Sequence, residues 1–180
     1  RPNPELPEAL ALALRTAQLE DAALVLATDP DCDRVGMAVR EEGGEYRLLT
    51  GNEVGLLLLM YILSVRRHMG TLPDSPLVIK TIVTSDLTFA IARDFGAEVK
   101  EVLTGFKYIG EAIGCLEKEG RADRFILGFE ESCGYLAGNH VRDKDGVMTA
   151  MLLADMVRYY ARRGQSVSGV LGQIYETYGY

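Results

Sequence analysis

Three carboxylates at alternate positions, Asp29, Asp31 and Asp33, close an apolar run in the stretch AALVLATDPDCDRVGMAV, and Arg34 follows at once. Acids held this close repel one another unless a cation or several hydrogen bonds offset their charge. Pro30 stiffens the loop, and hard oxygen donors at this density suit Mg²⁺, with Ca²⁺ a less specific fit. A solvated acidic turn is the plain alternative for any D-x-D segment; three acids at i, i+2 and i+4 weigh against it. An EF-hand is excluded by position. Counting from Asp29, the sixth place is Arg34 rather than Gly, and the twelfth is Arg40 rather than Glu.

Further along, Gly128-Phe129-Glu130-Glu131-Ser132-Cys133-Gly134-Tyr135 follows another expected strand. Glu130 and Ser132 there supply a carboxylate and a hydroxyl at a strand's C-terminal end, a set that suits sugar hydroxyls. The plain alternative is a helix-capping turn. His140, Arg142 and Lys144 then fall within five residues. On their own they read as a charge-mixed surface turn; beside a sugar pocket they could hold a phosphate. Thr104 and Gly105 open a helix after a strand, where free backbone N–H groups favour anions or polar ligands.

These residues need elements to position them, and the periodicity supplies a set. Helices are predicted over 7–20, 51–69, 86–95, 106–119, 146–163 and 167–178, and strands over 22–28, 35–40, 46–49, 77–83, 98–102 and 125–129. The pair 35–40 and 46–49 flanks Glu41-Glu42-Gly43-Gly44-Glu45 as a hairpin, and Thr50-Gly51-Asn52-Glu53 supplies capping residues for the long apolar helix. The segment 70–76 reads as a joint. Strand and helix alternate beyond it, which predicts a layered α/β/α domain with a mixed, largely parallel sheet; a partial α/β domain precedes it at the N-terminus.

Composition narrows the function classes. The chain has 180 residues, a formal net charge of −7, 48% hydrophobic and 25% charged residues, so a basic nucleic-acid-binding face is not expected. Three cysteines with no C-x-x-C spacing indicate neither a disulfide framework nor a zinc site and fit a reducing cytoplasm. The longest apolar run, 54–65, is too short to span a bilayer, and no leader peptide is expected. The chain starts abruptly at Arg1-Pro2-Asn3-Pro4-Glu5 and reads as a piece of something longer.

One competing reading concerns catalysis by an aspartate. Residues 24–31 resemble the first half of the nucleophile motif of haloacid-dehalogenase-like phosphatases, and Ile82-Val83-Thr84-Ser85 could pass for their phosphate-binding motif. Asp33 stands where that family has a hydroxyl or valine, and no clear acidic pair follows. This reading is second. A non-catalytic module that binds metal and sugar phosphate is third.

Taken in order, ATDPDCDR, TGFKYIG and GFEESCGYLAGNHVRDKDG resemble the motifs of the α-D-phosphohexomutases, in the phosphoglucomutase and phosphomannomutase branch; PNPE and LLTGNEVGLLLLMYIL resemble it too. The resemblance implies a four-domain enzyme in which a phosphoserine and a bisphosphorylated sugar interconvert hexose 1-phosphate and hexose 6-phosphate, most closely phosphoglucomutase. It implies Mg²⁺ on Asp29, Asp31 and Asp33 and a substrate-binding set of Arg34, Thr104, Gly105, Glu130, Ser132, His140 and Lys144. Residues 1–49 correspond to the C-terminal half of domain 2, and 50–180 to domain 3. Cys32 stands where much of the family has Gly or Ala, Pro30 where others have Gly, and Phe129 replaces a common Gly before the sugar loop. A T-A-S-H-N-like serine motif and an Arg-Ser-Gly-Thr-type phosphate loop are not in the sequence. Ser132 is no substitute, since no base motif flanks it. The chain alone is therefore expected to be catalytically silent and, with sheet edges left open, to self-associate.

Overall fold

The computed structural model describes residues 2–179; Arg1 and Tyr180, which close the expected domain limits, lie outside the described residues. Pro7 begins α1 (Pro7–Leu19), where a missing N–H costs nothing and the fixed φ suits a first turn. The chain then makes a three-stranded antiparallel sheet, β1 (Leu24–Thr28), β2 (Val35–Arg40) and β3 (Tyr46–Leu49). Thr28 pairs with Val35 at the end of β1, so the acid loop is the tight connection of a β-hairpin.

Thr50 caps α2 (Gly51–His68) through a reciprocal box. Its hydroxyl accepts from Glu53 N–H, and the Glu53 carboxylate accepts from Thr50 N–H at 2.8 Å. Arg47 of β3 donates to that same Glu53, which ties the first sheet to α2. A second sheet follows in the order β5 (Glu98–Val102), β4 (Leu77–Thr81), β6 (Phe125–Glu130), β7 (Gly134–Leu136). The β4 strand is parallel to both β5 and β6, while β7 runs antiparallel to β6. The remaining helices are α3 (Leu87–Asp94), α4 (Phe106–Lys118), α5 (Gly146–Ala161) and α6 (Val167–Tyr178).

Alternation along β4 explains the layering. Leu77 and Ile79 join Phe106, Ile109 and Ile113 of α4 in one core, whereas Val78 faces a larger core with α2, α5 and α6. That larger core also takes Val35, Met37, Val39 and Leu49 from the first sheet. One apolar interior therefore runs through both sheets, and it fixes the acid loop relative to β6. Each fully buried Leu or Ile here contributes about 1.5–3 kcal/mol, so the two sheets are not free to drift.

Three details differ from the sequence reading. The segment 70–76 is no joint between units: α2 before it and β4 after it share a core. The β4 strand stops at Thr81, because Thr84 N–H turns back to the Thr81 carbonyl and leaves Ile82 and Val83 exposed. The residues Gly134–Leu136, read as loop, form the antiparallel edge strand β7. That strand is three residues long, too short for any periodicity to announce it.

Candidate metal and sugar-phosphate site

Asp29 organises the acid loop with three of the roughly four acceptor sites of its carboxylate, which leaves one for a cation. Its Oδ1 accepts from the backbone N–H groups of Asp33 and Arg34 at 3.2 and 3.1 Å, and Oδ2 accepts from Arg34 Nε at 2.8 Å. Burial opposes its ionisation, but the Arg34 side-chain and backbone hydrogen bonds outweigh burial and hold the carboxyl below the usual range. The Asp29 hydrogen bond in turn holds the Arg34 guanidinium firmly protonated. Cys32 takes a left-handed conformation, φ 58°, to complete the turn, a backbone shape that glycine would adopt with less strain.

Asp31 is exposed and makes no hydrogen bond or ion pair to any described residue. Asp33 is the informative member. Its Oδ2 pairs with Lys144 Nζ at 2.9 Å, while Oδ1 is buried with no hydrogen-bond partner. One ligand oxygen from each of the three aspartates falls within 4.8 Å of the others. An orphaned carboxylate oxygen beside two further hard oxygen donors fits Mg²⁺ by donor chemistry. The loop faces an open groove of about 770 Å³ that Pro2 and Asn3 also line. Arg34 Nη1 reaches Asn3 Oδ1 at 3.5 Å and lies 3.9 Å from Glu5.

The second cluster forms around Glu130, the last residue of β6. Its carboxylate is buried and accepts from Gly105 N–H at 3.1 Å. Burial pushes this carboxyl above the ordinary range, against the pull of the Gly105 N–H and of Lys144. Gly105 has φ 120°, which a side chain at that position would resist. Thr104 beside it is exposed, and Ser132 is half-buried on the turn into β7, its hydroxyl bonded to no described residue.

The two clusters meet physically. Val35 N–H donates to the Cys133 carbonyl, and Gly146 N–H at the start of α5 donates to the Cys32 carbonyl at 2.9 Å. Lys144 adds an ion pair to the acid loop through Asp33. Its desolvation is outweighed by the Asp33 bond, so its ammonium is held above the usual lysine range. His140 takes a different partner: its Nε2 lies 3.0 Å from Asp145 Oδ2. Asp145 is the N-cap of α5, and the Met148 N–H and then His140 hold its carboxyl below the usual range. Asp29, Asp31, Asp33, Arg34 and Lys144 are thus brought together, as are Glu130 and Gly105, whereas the His140 ring is engaged at the helix cap.

Some contributors were not read from the sequence. Glu131 accepts from the Thr81 and Thr84 hydroxyls at 3.2 Å each, which pins the sugar loop to β4. Lys80, fully buried, donates to the Thr84 carbonyl and to Asp86, both at 3.0 Å, and pairs with Glu101 at 3.2 Å. A lysine inside the apolar run Val78-Ile79-Lys80-Thr81 is the one signal that could have drawn attention to it.

Comparison with known proteins agrees with this fold. The family model for phosphoglucomutase/phosphomannomutase alpha/beta/alpha domain III matches residues 50–178, and that for domain II matches 1–44. The chain belongs to the phosphoglucomutase/phosphomannomutase family. It is 38% identical over 182 residues to glucose 1,6-bisphosphate synthase of Mus musculus, covering 99% of this chain and 29% of that protein. It is 39% identical over 180 residues to a phosphoglucomutase of Staphylococcus aureus, covering 98% and 31%. The crystal structure of a candidate phosphomannomutase from Thermus thermophilus matches 99% of this chain and 36% of its own, with a TM-score of 0.74 at 25% identity. The chain thus spans about a third of the length of these relatives. No described helix is long and apolar enough to cross a membrane.

Proposed function

We propose that this chain is the metal-loop and sugar-loop portion of a cytoplasmic phosphoglucomutase that interconverts glucose 1-phosphate and glucose 6-phosphate through a phosphoserine and glucose 1,6-bisphosphate. One observation carries the reading: the acid loop and the Glu130 loop, separated by about a hundred residues, are joined by the Val35 N–H bond to the Cys133 carbonyl and by an antiparallel bridge between Arg34 and Gly134. The names of the mouse and staphylococcal relatives support the hexose phosphates as ligands. Residues 1–49 would serve as the second half of domain 2 and residues 50–180 as domain 3.

Asp29, Asp31 and Asp33 would hold Mg²⁺, which when bound supplies charge neutralisation to a transferring phosphoryl group. Arg34, kept protonated by Asp29, offers a planar donor fork for phosphate oxygens. Glu130 accepts from sugar hydroxyls, and Ser132, Thr104 and Gly105 add donors at the same strand ends. His140 orders the loop by bonding to the α5 cap, and Lys144 offers a cation between the two loops. Since the sequence holds no T-A-S-H-N-like motif, the phosphoserine must come from outside these 180 residues, and the chain by itself is silent.

The alternative of an aspartate nucleophile, Asp29 or Asp31, is weakened at Asp29 by the loop's own chemistry. Both Asp29 oxygens are committed to three donors, and the residue is 4% exposed, which leaves a poor nucleophile. The test is binding of glucose 6-phosphate to this chain, followed by NMR. Amide shifts centred on Gly105 and Glu130, lost in Glu130→Ala, are expected; shifts that ignore Glu130→Ala would overturn the sugar assignment.

A further inference from the structure

Lys144 reaches the acid loop over Gly134. A Cβ added at Gly134 would sit 2.3 Å from Lys144 Cδ and 3.3 Å from Glu130 Oε2. The lysine stem and the Glu130 carboxylate therefore lie against the same bare patch of β7 backbone, and only glycine leaves room for the stem. At its tip, Nζ lies 2.9 Å from Asp33 Oδ2, with Asp143 the next carboxylate at 3.4 Å. The side chain is 17% exposed. In this arrangement three aspartates are balanced by Arg34 and Lys144. Arg34 is locked by Asp29, whereas an ammonium on a four-carbon stem has no fixed geometry to lose on moving.

We propose that Lys144 is a resident counter-ion of the acid loop, competing with the divalent metal for Asp33 and turning to the Glu130 side when the metal binds. The proposal rests on the Mg²⁺ reading of the loop. A divalent ion on the free Asp33 Oδ1 and an ammonium 2.9 Å from Oδ2 of the same carboxylate repel each other, which favours withdrawal of the ammonium. Among the described residues, Asp143 lies 3.4 Å from Nζ, and the Glu130 carboxylate lies against the same glycine as the stem. Withdrawal to Glu130 makes metal occupancy visible in the sugar pocket: an empty acid loop holds the ammonium on Asp33, and a filled one brings it closer to Glu130. Such exchange is a coupling between two sites, and couplings of this kind are typically tenfold or so in affinity.

The experiment is Mg²⁺ titration of this chain by calorimetry, in the native sequence and in Lys144→Met, Lys144→Arg and Asp31→Ala, with the Glu130 side-chain carboxyl followed by ¹³C NMR. Lys144→Met should bind Mg²⁺ roughly tenfold more tightly, Lys144→Arg should stay near the native affinity, and the Glu130 resonance should move with Mg²⁺ only when residue 144 is cationic. Equal affinity in the native chain and Lys144→Met would overturn the proposal, as would tightening by Arg and Met alike, which would assign the effect to packing. Binding that survives Asp31→Ala unchanged would instead remove the metal reading itself, and the proposal with it.

Discussion

The Gly146 amide donates to the Cys32 carbonyl at 2.9 Å, so the first turn of α5 grips the acid loop from the opposite side of the sequence. No Cβ fits in this contact, since one at Gly146 would stand 2.6 Å from the Cys32 oxygen. Gly146→Ala must push the loop from the helix, and overpacking of this kind costs about 1–3 kcal/mol. A urea denaturation curve should show that loss. Mg²⁺ affinity should fall in the same variant, because the carboxylates then lose their fixed spacing.

Asp29 and Asp31 are expected to separate cleanly by mutation. Asp29→Ala leaves the Asp33 and Arg34 N–H groups and the Arg34 guanidinium without their acceptor. Unmade buried hydrogen bonds cost about 1–3 kcal/mol each before relaxation, so the thermal midpoint should drop by several degrees. Asp31→Ala, by contrast, touches no described partner and should leave the midpoint in place while removing divalent binding. A matched pair of melting curves and Mg²⁺ titrations checks both.

Glu130 gives the fold a pH dependence of unusual sign for a carboxylate. Burial raises its folded pKa above the unfolded value near 4.5. The native state therefore binds more protons than the unfolded chain, and this group's contribution to stability falls as pH rises through and above about 4.5. Glu130→Gln should flatten that part of the stability profile. Asp145 runs the other way: its folded pKa is lowered from 3.8, so its contribution is full above that value and is lost as pH falls below it. Stability measured across the acidic and neutral range in the native, Glu130→Gln and Asp145→Asn forms separates the two slopes.

Among the described residues the β1 strand pairs only with β2, and Leu12 and Leu19 of α1 are 77% and 79% exposed. An open edge beside exposed leucines favours pairing with a second copy. Sedimentation of the isolated chain should show dimers or larger species at tens of micromolar, with a monomer profile the contrary result.

Most elements were legible because long periodic segments announce themselves: the capped apolar helix after Thr50, the hairpin around Gly43-Gly44 and the alternation from β4 to α4 all occur in the order read, with ends shifted by one or two residues. The short antiparallel β7 was not legible, nor was the continuity of the core through both sheets, which depends on tertiary packing rather than period. At the site, the motifs pointed to Asp29, Asp31 and Asp33 for a metal and to Glu130 for sugar hydroxyls, without distinguishing the three aspartates from one another. The carboxylate of Asp29 proved to be committed to loop geometry, Lys144 to Asp33, and His140 to the α5 cap. The partners Asp33 and Lys144 stand far apart in the chain, and no local pattern encodes such a pairing.

The most direct test of the account is ³¹P NMR of glucose 1-phosphate with Mg²⁺, run with the protein that carries this chain and with the 180 residues alone. The account predicts a glucose 6-phosphate resonance growing at the expense of the substrate for the former, and no change for the latter. Inorganic phosphate as the product, or glucose 6-phosphate made by the 180 residues alone, would contradict it.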